Sequence, residues 1–370
     1  MKHARLMLRL LPALPCLSVL AGGAGAAVHC VGTPAEFQAA LTAAAASAAD
    51  DEIRMRGGHY QHGLTFDYYG QHADGLEISG GWTADGGDAC GAQLPDARLT
   101  RLDGGNDHQI LRLQNFAFAP AGDAVRFSVS NLHFDSGFSQ GTSYGGALGI
   151  SNMGDLPAQI RVDNVLFTRN RALFGGALYF FAGRGSIHVG GSVFDDNRAQ
   201  DMAHVYGIAG AHADTLVDVV NSTFGRGRCL PDGAGDRCSV HLDLSSHGRV
   251  AVANSLFWDN GLPDLDVSEN ASVHGEPVRI DSSLLTYDGN TAGAMTNLLS
   301  GDPQFVAAGA GDYALRSTSP FIDQGSTSLP SGLLPVDMVG HARVQGGGID
   351  PGALEYTPDD LLFANGFEVD

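Results

Sequence analysis

Six residues between positions 179 and 266 of this chain carry side chains that could do chemistry together: Tyr179, His204, Tyr206, His241, Asp243 and Asp266. A histidine beside a carboxylate can move a proton near neutral pH, and a carboxyl group can hydrogen-bond sugar hydroxyls or protonate a leaving oxygen. A tyrosine ring can lie on the face of a pyranose. His204-Val-Tyr206 and His241-Leu-Asp243 share an alternating step, which on a β-strand puts the outer residues of each triplet on one face. The two triplets meet only if the fold sets their strands side by side.

A repeated phrase provides that register. Asn131-Leu-His-Phe134, Asn164-Val-Leu-Phe167, Gly191-Ser-Val-Phe194, Asn221-Ser-Thr-Phe224, Asn254-Ser-Leu-Phe257 and Asp281-Ser-Ser-Leu284 recur at steps of 33, 27, 30, 33 and 27 residues. Units of that size mark a stacked repeat that cannot bury its apolar face alone. Between the phrases, apolar residues alternate, as in Val125, Phe127 and Val129, or Ile187 and Val189. The period is that of strands, and Gly, Asn and Asp punctuate it. The pattern predicts an all-β parallel β-helix, a solenoid in which each strand pairs with its counterpart one turn on. The five Phe and Leu284 should form one internal column.

Aligning the units on that column places Leu178 and Phe180 inward and Ala177 and Tyr179 outward. His204 then matches Ala177, and Tyr206 matches Tyr179. With Leu242 and Leu244 inward, His241 and Asp243 point out, as does Asp266 between Leu265 and Val267. Rungs lie about 4.8 Å apart, so an outward patch of His204, Tyr206, His241, Asp243 and Asp266 is predicted, with Tyr179 at one end. The catalytic candidates are His204, Tyr206, His241 and Asp243; the ligand-binding candidates are Tyr179, Tyr206 and Asp266. The plainer reading is a solvated polar strand face. No outward Arg or Lys accompanies these positions to neutralise a uronate, and the paired-carboxylate and Arg-Ile-Lys phrases of polygalacturonase-like hydrolases are absent.

Other polar groups have structural readings. Asp195-Asp196 reads as a turn. Asn170, Asn197 and Asn260 hold one repeat position and read as a stacked amide ladder. Asp103, Asp107 and His108 offer too few oxygens for calcium, and no metal or cofactor motif is present. His133, His188 and His274 are scattered.

The closing block carries a resemblance. Ser319-Pro-Phe-Ile-Asp-Gln-Gly325, Asp337-Met-Val-Gly-His-Ala-Arg343 and Gly348-Ile-Asp-Pro-Gly-Ala-Leu-Glu-Tyr356 resemble the end of exported bacterial right-handed parallel β-helix proteins of the pectin-lyase-like group, choice-of-anchor Q type. Gly145-Gly-Ala-Leu148 and Gly175-Gly-Ala-Leu178 also resemble phrases in the repeats of that group. The likeness spans roughly residues 28–356. It implies a right-handed β-helix and export, and no particular reaction.

Composition agrees with export. The first 26 residues resemble a secretion signal: Lys2, Arg5 and Arg9, then a mostly apolar run, then Ala24-Gly25-Ala26. The run is too short, and too interrupted by Pro12 and Pro15, to span a membrane. Its removal takes the formal charge from −20 to about −23. Such acidity argues against nucleic acid, anionic membranes and long polyanions as partners; a local arginine patch would overcome the repulsion, but no arginine cluster stands out along the sequence. Four cysteines remain, and Cys30–Cys90 and Cys229–Cys238 are the preferred pairs of three possible pairings.

The predicted organisation is a signal at 1–26, a capping segment at 27–50 built on the Thr33-Pro-Ala-Glu36 capping box, a parallel β-helix at 51–306, an end block at 307–357 and a tail at 358–370. The expected protein is a secreted or surface-bound bacterial monomer that binds glycan or another surface ligand through an exposed strand face. A polysaccharide lyase or hydrolase and a passive adhesion element are the alternatives.

Overall fold

The structure is a computed structural model. It describes residues 26–85, 89–118, 123–139, 144–210, 215–230, 239–244, 248–261, 263–269, 278–289 and 293–358. Residues 1–25 of the expected signal, Cys238, His274 and nearly all of the tail lie outside them.

Three parallel sheets wind the chain into a right-handed parallel β-helix, the hand that parallel crossovers take. The first runs from Val28–Val31 to Gly293–Thr296, the second from Gly58–Gln61 to Leu256–Trp258, and the third from Phe66–Gly70 to Leu265–Glu269. A small fourth sheet joins Arg171–Phe174, Arg198–Asp201 and Arg228–Cys229. Phe134, Phe167, Phe194, Phe224 and Phe257 pair in register. Their rings stack at centroid spacings of 5.3, 4.7, 4.7 and 4.4 Å. All five are buried.

The last unit is shifted from the predicted alignment. Each phrase begins with a left-handed residue: Asn131, Asn164, Gly191, Asn221, Asn254 and then Ser282, not Asp281. The sixth column position is therefore Leu285, which packs against the core. Leu284 pairs with Leu256 and belongs to a second apolar cluster.

The helix Pro34–Ala46 covers the first rung. Thr33 Oγ accepts from the Glu36 amide, and Glu36 reaches back to the Gly32 amide. Phe37 and Leu41 are buried, and Phe37 meets Phe66 at 4.8 Å. Gln38 bonds both the N–H and the carbonyl of Asp67, at 2.9 and 3.0 Å. It thus takes the place of a neighbouring strand at an edge that would otherwise recruit one. Cys30 and Cys90 form a disulfide. Cys229 is also disulfide-bonded; the preferred partner, Cys238, lies outside the described residues.

The closing block folds back along the second sheet. Leu166, Val193 and Leu256 on its outer side join Phe305, Tyr313, Leu315, Phe321, Met338 and Leu354 in the second cluster. Asn164, Asn221 and Asn254 bond Val336, Asp350 and Ser326. The left-handed asparagines that turn the coil therefore also hold the strap that crosses it.

Candidate functional site

The outer face of the third sheet is built by register. Tyr179, Tyr206, His241 and Asp266 are successive partners in one column. Ile208, Asp243 and Ser268 form the next outward column. Val240, Leu242 and Leu244 point into the core, which forces the residues between them outward.

One connected group results. Tyr206 Oη donates to Asp243 Oδ2 at 2.9 Å. His241 Nε2 meets Asp243 Oδ1 at 3.0 Å, and its Nδ1 meets Asp266 Oδ2 at 2.5 Å. Ser268 Oγ also donates to Asp243. The Tyr206 ring stacks on the His241 ring at 5.7 Å.

Electrostatics fix the charge states. Burial opposes the cation on His241, but the hydrogen bonds to Asp243 and Asp266 outweigh it and raise the pKa. Burial likewise opposes the anion on Asp243, yet bonds from His241, Ser268 and Tyr206 hold it far below the usual carboxylate range. Asp243 is thus a fixed acceptor and a poor general acid. Both nitrogens of His241 face carboxylates.

Aromatic rings extend the face. Tyr144 stacks on Tyr179 at 4.7 Å and on Phe174 at 5.5 Å, and Tyr206 lies 5.7 Å from Tyr179. Tyr144 is 38% exposed, and Phe174, Tyr179 and Tyr206 are half-buried. Tyr144 and Phe174 escape sequence reasoning because both lie off the third sheet: Phe174 ends a strand of the fourth sheet and Tyr144 is bridged to it. Their shared place before the Gly145-Gly-Ala and Gly175-Gly-Ala phrases is the signal that could have found them.

His204 does not belong to this group. It is fully buried, between Phe194 and Phe224 at 6.1 and 5.8 Å. The strand starts at Val205, so residue 204 sits at a corner where strand alternation does not apply. Its counterparts Ala147 and Ala177 are equally buried.

Its position has a cause. The ladder places Asn170 and Asn197 three residues after Phe167 and Phe194, each bonding the carbonyl of the rung before, Phe134 or Phe167. Three residues after Phe224 the chain has Gly227. The His204 ring fills that gap, with Nδ1 3.2 Å from Asn197 Nδ2 and Nε2 3.0 Å from Asn260 Oδ1. A Cβ on Gly227 would lie 2.5 Å from His204 Nε2. Burial lowers the His204 pKa to about 4, so the ring is neutral, accepting at Nδ1 and donating at Nε2.

The other polar candidates are structural. Asp196 is a left-handed turn residue, but Asp195 ends a strand and is buried, bonded by Arg226 and by Tyr313 Oη at 2.7 Å. His188 lies between Asp163 and Asp218, at 3.0 and 2.7 Å. His133 bonds Thr168, which donates to Asp135. Asp103 is engaged by Arg101 and His59.

No family model matches the chain, and no curated protein matches it. Among solved structures, the chain is similar to the pectin methylesterase of Aspergillus niger at 14% identity, with a TM-score of 0.31, over 73% of this chain and 85% of that one. The fold assignment rests on the strand pairing. No helix among the described residues is long and apolar enough to cross a membrane.

Proposed function

We propose that this is an exported β-helix protein of the choice-of-anchor Q type that binds a glycan on the outer face of its third sheet. The observation that carries this reading is the run of Tyr144, Phe174, Tyr179 and Tyr206, in ring contact and open to solvent, ending on the Tyr206–Asp243–His241–Asp266 group. Rings supply apolar faces for sugar C–H surfaces, and Asp243 and Ser268 supply hydrogen-bonding groups at the rim. The amino-terminal pattern and the Cys30–Cys90 disulfide support an oxidising location outside the cytoplasm.

A polysaccharide lyase or hydrolase on the same face is the second reading, drawn from the His241–Asp243 pair. The charge states weigh against it, since Asp243 is held ionised and His241 has neither nitrogen free of a carboxylate. A glycan array tests the first reading: wild-type protein binds a sugar chain, and Tyr179→Ala and Tyr206→Ala lose that binding while melting as wild type does. Reducing ends or unsaturated products released by wild type and not by Asp243→Asn would instead establish catalysis.

A further inference from the structure

We propose that Arg171, Arg198 and Arg228 form a second ligand surface, a stripe along the coil that takes the anionic groups of an acidic glycan. The three are in-register partners on adjacent strands of the fourth sheet, so their backbones repeat about every 4.8 Å. All three are exposed. Like charges opposite one another in a sheet destabilise it, and the fold alone gives no reason to place arginine at each.

The neighbouring arginines behave differently. Arg169 and Arg226 turn to the buried carboxylates Asp135 and Asp195, as structural arginines do. Arg198 meets the Asp196 carboxylate at 3.2 Å, and Arg228 meets the Asp259 carboxylate at 2.8 Å and donates to the Gly227 and Asp259 carbonyls, with arginine side chains 54% and 46% exposed. Surface pairs of this kind are weak and exchange readily for a better anion. Arg171 lies over the Phe138 ring at 5.5 Å, and no carboxylate partner is recorded for it among the described residues. Guanidinium groups present a planar fork that matches carboxylate or sulfate oxygens.

The stripe points to a glycan and not to nucleic acid. Phe138 precedes Arg171 in the same column, and Phe174 closes the strand that Arg171 opens. Aromatic groups therefore stand at one end of the stripe and beside it. The formal charge of −20 repels any polyanion at long range, a duplex with one charge per about 1.7 Å most strongly; a linear glycan with one carboxylate or sulfate per sugar is repelled less and meets one arginine per rung. The surface is separate from Asp243 and Asp266. It shares with the preceding reading the ligand class and Phe174, which stands between the two surfaces.

The test is a titration of the full exported chain with polygalacturonate, dextran sulfate, unsubstituted dextran and a single-stranded oligonucleotide, at low and high salt. One or both anionic glycans should bind, more weakly at high salt, and the one that binds identifies the group as carboxylate or sulfate. Arg171→Gln/Arg198→Gln/Arg228→Gln should weaken that binding by about tenfold or more, while the charge-preserving triple Lys variant recovers part of it. Unaltered circular dichroism and melting of both variants exclude misfolding as the cause. Binding of neither anionic glycan, equal binding of the oligonucleotide, or unchanged affinity in the Gln variant overturns the proposal. Tyr179→Ala separates the two surfaces. If it abolishes dextran binding while the arginine variant binds every probe as wild type does, the aromatic reading stands and the stripe falls. If anionic binding survives Tyr179→Ala and is lost in the Gln variant, the stripe stands by itself.

Discussion

His204 Nε2 lies 3.0 Å from Asn260 Oδ1, in the space that Gly227 leaves open. One imidazole thus completes an amide ladder across a rung that has no asparagine of its own. The arrangement predicts a compensating pair. His204→Ala leaves a cavity and removes one hydrogen-bond partner each from Asn197 and Asn260, and should cost about 2–4 kcal/mol. Gly227→Asn by itself should also destabilise, because its Cβ meets the ring. The double variant should recover much of the loss, the new amide bonding where the ring had been. Denaturant unfolding of the four proteins gives the coupling energy; strictly additive losses would refute the gap-filling account.

His188 and His204 make opposite contributions to stability with pH. Burial opposes the cation on His188, but Asp163 and Asp218 raise its pKa to about 9. The fold favours the charged ring, so this contribution is complete below about pH 6.5 and fades as the pH rises through about 9. It should amount to roughly 2–3 kcal/mol. His188→Gln should flatten the alkaline fall in stability, measured by chemical unfolding across that range.

His204 has the reverse sign. Its pKa of about 4 means that the unfolded chain binds the proton first, so its contribution is complete above about pH 6.5 and is lost as the pH falls towards about 4. The His204→Ala/Gly227→Asn double variant should lose less stability than wild type between those values. An equal acid slope in both proteins would assign the loss to other groups.

Tyr313 reaches Asp195 because residue 225 is glycine: a Cβ there would lie 1.8 Å from the Tyr313 hydroxyl oxygen. Tyr313→Phe should cost about 1–2 kcal/mol by leaving the buried Asp195 short of a donor. Gly225→Ala should displace the ring and loosen the strap. Hydrogen exchange should then quicken in 305–356 ahead of the coil; uniform acceleration over the whole chain would show that the strap has no opening of its own.

Reducing the Cys30–Cys90 disulfide releases a loop of 60 residues, which should lower stability by up to about 4 kcal/mol. Cys30→Ser/Cys90→Ser should melt earlier, with exchange rising first around the helix Pro34–Ala46. A melting temperature unchanged by both the substitution and reductant would mean that the helix holds the first rung without the bridge.

The sequence by itself determined the coil. Alternating apolar residues and a phrase recurring every 27 to 33 residues set the strand register, and register carries Tyr179, Tyr206, His241, Asp243 and Asp266 to one face, because side chains on paired strands keep their parity. Parity ends where a strand ends. His204 lies one residue before its strand, so only the tertiary structure decided that it turns inward, into a gap made by Gly227 on another rung. Tyr144 and Phe174 pair with each other off the third sheet, and packing alone brings the Tyr144 ring to Tyr179. Arginine recurs four residues after Phe167, Phe194 and Phe224, but the column does not stand out along the sequence; strand pairing aligns it, and exposure and pairing separate Arg171, Arg198 and Arg228 from the structural Arg169 and Arg226. Periodicity fixes which residues are neighbours along a sheet; corners, gaps and the partners of long polar side chains depend on atoms from rungs far apart in the chain.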